Sequence, residues 1–154
     1  MAPQLHPEVA HLEFLLGTWT GEGRGDYPTI EDFTYVEEST FGHVGKPFLA
    51  YSQKTRGPDG LPLHAEVGYL RPVGADGLEL VLDHPSGITE IQAGTISGQS
   101  VRLRSTEVGL APTAKDVRAL TRSIDVVDNT MHYVLEMAAV GQDMQFHLEA
   151  TLYH

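Results

Sequence analysis

Eight histidines and no cysteine set the chemistry open to this chain. Without thiols it has no disulfide, thiolate nucleophile, zinc–thiolate centre or iron–sulfur cluster. The histidines are His6, His11, His43, His64, His84, His132, His147 and His154. None has a partner two residues away on a strand, so spacing gives no expectation of a multi-histidine metal site. His43, His64 and His84 lie beside turn residues and read as exposed. A single imidazole completing the coordination of a cofactor-borne metal needs no partner spacing, so each of the eight stays open to that role.

Other chemistries find no support. There is no Gly-x-Ser-x-Gly elbow and no His-Glu-x-x-His pair. The run Gly21-Glu22-Gly23-Arg24-Gly25-Asp26 looks like a phosphate loop, but Asp26 stands where the last glycine belongs and no long helix follows. Glu37 and Glu38 are adjacent and on a strand must face opposite ways, so they cannot act together on one substrate. The formal net charge of −11 repels phosphate backbones and anionic lipid surfaces, which argues against nucleic-acid or membrane partners. The start, MAPQLHPEVAHLEFLLG, lacks a basic segment, and His11 and Glu13 interrupt its apolar positions. It reads as neither a leader nor a span, and with the missing cysteines suggests the cytoplasm.

The elements that must hold any site are strands. Pro7 to Leu16 predicts a short helix, with proline at its start, Gly17 just past its end, and Val9, Leu12, Leu15 and Leu16 on one face. Beyond it come turn signals: Gly57-Pro58-Asp59-Gly60, Gly74-Ala75-Asp76-Gly77, His84-Pro85-Ser86-Gly87, Ser97-Gly98, Asp128-Asn129 and Gly141-Gln142-Asp143. The intervening segments have strand length and composition, near 18–23, 31–41, 47–55, 63–73, 78–83, 87–95, 100–107, 116–126, 131–140 and 143–152. The gaps are too short for parallel crossovers, so the order is an antiparallel meander. The expected fold is one all-β domain over 1–154, a ten-stranded antiparallel up-and-down barrel with a short N-terminal helix. Ten strands enclose more space than side chains fill, which implies a cavity for one mid-sized ligand. The segment from Gly109 to Lys115 is placed to border its mouth.

In the last strand Met144, Phe146, Leu148, Ala150 and Leu152 are apolar, while Gln145, His147, Glu149 and Thr151 are polar. Strict alternation puts His147 on the polar face, toward solvent in a packed core. A partly polar lumen or a β-bulge would turn it inward instead. Trp19 reads as packing at the barrel floor.

Gly17-Thr18-Trp19-Thr20-Gly21-Glu22-Gly23 resembles the Gly-x-Trp-x-Gly-x-Gly signature of the nitrobindin family, continuing as Gly25-Asp26-Tyr27-Pro28-Thr29-Ile30. Three further blocks are similar to that family: Phe41 to Phe48, His64 to Tyr69 and His84 to Glu90. His147-Leu148-Glu149-Ala150-Thr151-Leu152 corresponds to the strand carrying the family's haem ligand. The likeness runs from about Leu12 to the end, though Tyr153-His154 departs from the family's basic ending. It implies a ten-stranded barrel, matching the count above. It also implies haem b, with its iron held by His147, nitric oxide binding, and isomerisation of peroxynitrite to nitrate at ferric haem. By the same resemblance His147 is the catalytic and metal-binding residue, with Thr29 and Lys115 contacting the cofactor, Lys115 near its carboxylates. A homodimer is expected by family analogy. The residues themselves leave two other readings open: a non-catalytic carrier or sensor of a small hydrophobic ligand, like a fatty-acid-binding protein, or an interaction module using the barrel as a scaffold.

Overall fold

The computed structural model describes residues 1–154. Ten antiparallel strands close into a barrel: β1 (Gly17–Tyr27), β2 (Ile30–Gly42), β3 (Leu49–Arg56), β4 (Pro62–Val73), β5 (Gly77–His84), β6 (Ile88–Ser97), β7 (Ser100–Leu110), β8 (Val117–Val127), β9 (Thr130–Ala139) and β10 (Gln145–Tyr153). Each strand pairs with its sequence neighbour, and β1 pairs with β10 to close the ring. The expected ten-stranded antiparallel barrel is the observed one.

The N-terminal helix covers Pro7–Leu15 and is a 3₁₀ helix. Its three residues per turn align positions i, i+3 and i+6. That is why Val9, Leu12 and Leu15 are fully buried, whereas Leu16, predicted for the same face, falls outside the helix and is only partly covered. The helix plugs one end of the barrel. Trp19 is fully buried beside it and donates its indole N–H to the Leu15 carbonyl at 2.8 Å, the floor role expected of it.

Strand β1 runs four residues further than its sequence suggests, to Tyr27. Gly21, Gly23 and Gly25 read as loop formers, but pairing with β2 on one side and β10 on the other holds them extended. Their inward positions stay free of side chains so that neighbours can occupy the space. A Cβ on Gly23 would lie 2.3 Å from Cζ of Tyr35, whose ring covers this position. Asp128 and Asn129 both adopt positive φ, 49° and 61°, giving the tight β8–β9 hairpin the sequence signalled.

Up-and-down order sorts the connections by end. The β2–β3, β4–β5, β6–β7 and β8–β9 turns share the plugged end with the helix. The β1–β2, β3–β4, β5–β6, β7–β8 and β9–β10 connections surround the other. Pairing of β7 with β8 stops at Arg104–Thr121, so the wall is least knitted beside the 111–116 loop at this open end.

Gly23→Ala tests the close approach. Overpacking against Tyr35 should cost about 1–3 kcal/mol, read as a lowered urea midpoint at unchanged slope.

Candidate functional site

The open end leads into a cavity of about 1240 Å³. That is above the usual range of small-molecule pockets, roughly 300–1,000 Å³, and large enough for a flat macrocycle. All five connections at this end contribute to its lining, through Thr29, Pro58, Ser86, Thr113, Lys115 and Val140 among others. The 109–115 segment therefore does border the mouth.

His147 lines this cavity. Strand alternation does not put it there. In the β10–β9 ladder Phe146 pairs with Glu136 and Leu148 with Leu135, which leaves His147 as the extra residue of a β-bulge. Phe146 stays outside, under the Arg24 guanidinium at 4.5 Å, and Leu148 resumes inward facing. The bulge turns the ring into the lumen, one of the two ways the sequence allowed. His147 Nδ1 lies 3.3 Å from the Asp26 carbonyl oxygen, to which it donates as the Nδ1–H tautomer. Nε2 is thereby left as a lone-pair donor. Burial holds the imidazole below its ordinary pKa, opposed by the Asp26 carbonyl and reinforced by the Lys115 charge. The ring is neutral at pH 7, as a metal ligand must be.

Tyr27 braces this arrangement and was not singled out by sequence. Its ring meets His147 edge-on at 5.4 Å. Its hydroxyl accepts the Ala139 N–H at 2.9 Å and donates to the Met137 carbonyl at 3.0 Å. The hydroxyl thus ties the end of β1 to β9 beside the bulge. Its signal was an inward tyrosine at the end of a glycine-rich strand. Thr29 sits in the β1–β2 turn and Lys115 in the β7–β8 connection, both exposed and both lining the mouth.

Below the cavity lies a layer of buried polar groups. Glu37, Glu66 and Glu90 are 2%, 4% and 2% exposed, and Glu38, next to Glu37, faces outward as alternation requires. Glu66 Oε1 accepts from Tyr51 at 2.7 Å and from Arg122 at 3.2 Å. Burial pushes the Glu66 carboxyl up, but the Arg122 charge and other partners outweigh it and hold it below its usual value. Glu37 has no such cation; burial raises it, though it accepts from Tyr133 and from Ser39 at 2.6 Å. Tyr35 and Tyr133 are linked at 2.7 Å. Beneath, a hollow of about 20 Å³ has room for roughly one water.

The expected exposure of three histidines fails. His84 is not exposed: its side chain is 9% accessible, and His43 and His64 are half-buried. Two histidines also come together, which in-strand spacing did not signal. His64 on β4 and His84 on β5 meet, Nε2 to Nδ1, at 3.1 Å. Spacing along one strand could not reveal this, because the two residues lie on neighbouring strands, 20 positions apart in sequence.

A cavity of this volume, a neutral inward imidazole with a free Nε2, apolar walls around it and a cationic lysine at the rim fit a haem. Residues 8–154 match the family described as THAP4-like, heme-binding beta-barrel domain. The chain belongs to this family. It is 55% identical to Peroxynitrite isomerase 2 of Mycobacterium avium, over 99% of this chain and 98% of that one. It is 54% identical to Peroxynitrite isomerase of Nocardia farcinica, over 96% and 91%. The crystal structure of Rv2717c from M. tuberculosis superposes with a TM-score of 0.93 at 50% identity, covering 98% of this chain and 99% of that one. The match to the family covers nearly the whole length of this chain.

Two substitutions test the geometry. Tyr27→Phe strands the buried Ala139 N–H and should lower stability by about 1–3 kcal/mol, measured by urea unfolding. Arg122→Ala leaves Glu66 buried without its cation and should cost about 3–5 kcal/mol by the same measurement.

Proposed function

We propose that the chain binds haem b through His147, binds nitric oxide, and isomerises peroxynitrite to nitrate. Residues 1–154 act in this reading as one haem-binding domain. The observation that carries it is the β-bulge at His147, which presents a half-buried, neutral imidazole to a cavity of about 1240 Å³. The names of the mycobacterial and nocardial relatives supply the reaction.

Haem, when bound, supplies the ferric iron at which peroxynitrite rearranges to nitrate. The protein's part is positional. The His147 Nε2 lone pair ligates, and the Asp26 carbonyl holds the Nδ1 proton so that the tautomer and ring direction are fixed. Tyr27 limits the ring's swing from the edge. Ile88, Leu120, Leu135, Met137 and Leu148 offer apolar walls that keep reactive fragments from water and other side chains. Lys115 at the rim suits a haem carboxylate, and Thr29 a polar contact beside it. Histidine rather than thiolate ligation disfavours oxygen activation. The reading extends to a homodimer in a reducing cytoplasm, which suits a chain without cysteine.

The decisive experiment pairs spectroscopy with kinetics. Wild-type protein given haem should show a Soret band, and the ferric form should speed peroxynitrite decay to nitrate in stopped flow. His147→Ala should lose the wild-type spectrum and the acceleration while keeping the barrel's circular dichroism. An unchanged spectrum in His147→Ala removes the ligand assignment. No haem uptake, with tight uptake of a fatty acid instead, favours the carrier. Lys115→Ala and Thr29→Val should weaken haem retention by only a few-fold, the former more at low salt, as befits exposed contacts. Size-exclusion mass decides the dimer.

A further inference from the structure

Across the barrel from β10, strands β4 and β5 turn two imidazoles and a carboxylate toward one point. We propose that His64, Glu66 and His84 form a binding site for one divalent transition-metal ion, distinct from the His147 site.

The donor spacing is that of a coordination shell. His64 Nε2 and His84 Nδ1 are 3.1 Å apart, and His84 Nδ1 and Glu66 Oε2 are 3.6 Å apart. The three residues' ligand atoms all lie within 4.8 Å of one another. A tetrahedral ion with bonds of about 2.0–2.1 Å needs donors about 3.3 Å apart. The first two separations bracket that value, so small side-chain shifts suffice.

The proton inventory points the same way. Glu90 Oε2 lies 2.5 Å from His84 Nε2, a contact that suits the tautomer with its proton on Nε2. In that tautomer His84 presents a lone pair at Nδ1, facing Glu66 Oε2 as well as His64. Without a cation, Glu66 Oε2 meets that lone pair at 3.6 Å and draws only a long 3.5 Å bond from Arg122. With a cation, His64 moves its proton to Nδ1 and three lone pairs converge on the metal.

The outer groups are those a metal site needs. Metal-bound histidines ordinarily donate their other N–H to a carboxylate, as His84 does to Glu90. Glu90 is itself fixed by Gln92, which donates to Oε1 at 2.7 Å. Glu66 is oriented through its other oxygen by Tyr51 and Arg122. Three carboxyl groups, Glu37, Glu66 and Glu90, are buried in this layer, and the Arg122 guanidinium contacts Glu66 among them. The three ligand residues and Glu90 all line the large cavity, so the remaining coordination position opens into it. Two imidazoles and one carboxylate with an open position suit zinc or ferrous iron better than calcium or magnesium.

The test uses the full-length chain as purified, its haem content fixed by absorbance. It is dialysed to equilibrium against zinc chloride, and bound zinc is counted by mass spectrometry. One zinc per chain is expected at any haem content. His64→Ala and His84→Ala should each weaken uptake at least about 100-fold, and Glu90→Gln, which does not touch the metal, about 10–100-fold. His147→Ala should leave uptake unchanged. Should His84→Ala fail to fold, His64→Ala at its half-buried position and the near-isosteric Glu90→Gln carry the test. The proposal is overturned if zinc does not exceed loosely held surface levels. It is equally overturned if His64→Ala binds as wild type, if His147→Ala abolishes binding, or if zinc falls in proportion to haem.

Discussion

The ladder between β1 and β10, from Thr20–Tyr153 to Gly25–Leu148, closes the barrel, and the site depends on it. Open, the meander would expose two strand edges and have no interior. Closed, it fixes ten strands around a lumen that side chains cannot fill. It also brings the Asp26 carbonyl on β1 within reach of His147 on β10. Closure and ligand orientation are thus one structural event. The inward glycines of β1 permit it by leaving room for Tyr35 and Phe33 against the seam.

The lumen is divided by charge. At the plugged end, apolar groups from the 3₁₀ helix and the lower strands pack around Trp19. At the open end, apolar walls surround a void. Between them lies the polar layer built on Glu66–Arg122 and Glu37–Tyr133. A buried ion pair of this kind adds little net stability over apolar packing, because both partners lose their hydration. What it does here is hold long side chains in fixed directions across the barrel. It thereby stops the cavity from collapsing onto the floor and keeps His84 and Glu90 in register.

The cavity carries different chemistry on opposite walls. The β10 wall offers one neutral imidazole, isolated among apolar and aromatic groups. The β4–β5 wall offers a connected set of imidazoles and carboxylates. A ligand between them would meet a single strong donor on one side and a proton-bearing network on the other.

Turn residues and strand lengths announced the ten-stranded meander, because tight antiparallel hairpins need local backbone conformations that few residues supply. The family resemblance, not the pattern, singled out His147, and it also brought Thr29 and Lys115 to the rim. The boundaries of β1 were misread because glycine's freedom looks the same in a loop as in a strand held from both sides. Alternation by itself misplaces His147: a bulge is set by which residue pairs with Glu136 and which with Leu135, a fact of two strands rather than one. The same reason hid Tyr27's bond to Ala139 and the meeting of His64 with His84. Sequence determined the local conformations and therefore the class of fold. Only the closed tertiary structure decided which side chains share the interior, because inter-strand register and the lumen exist only once the chain has come full circle.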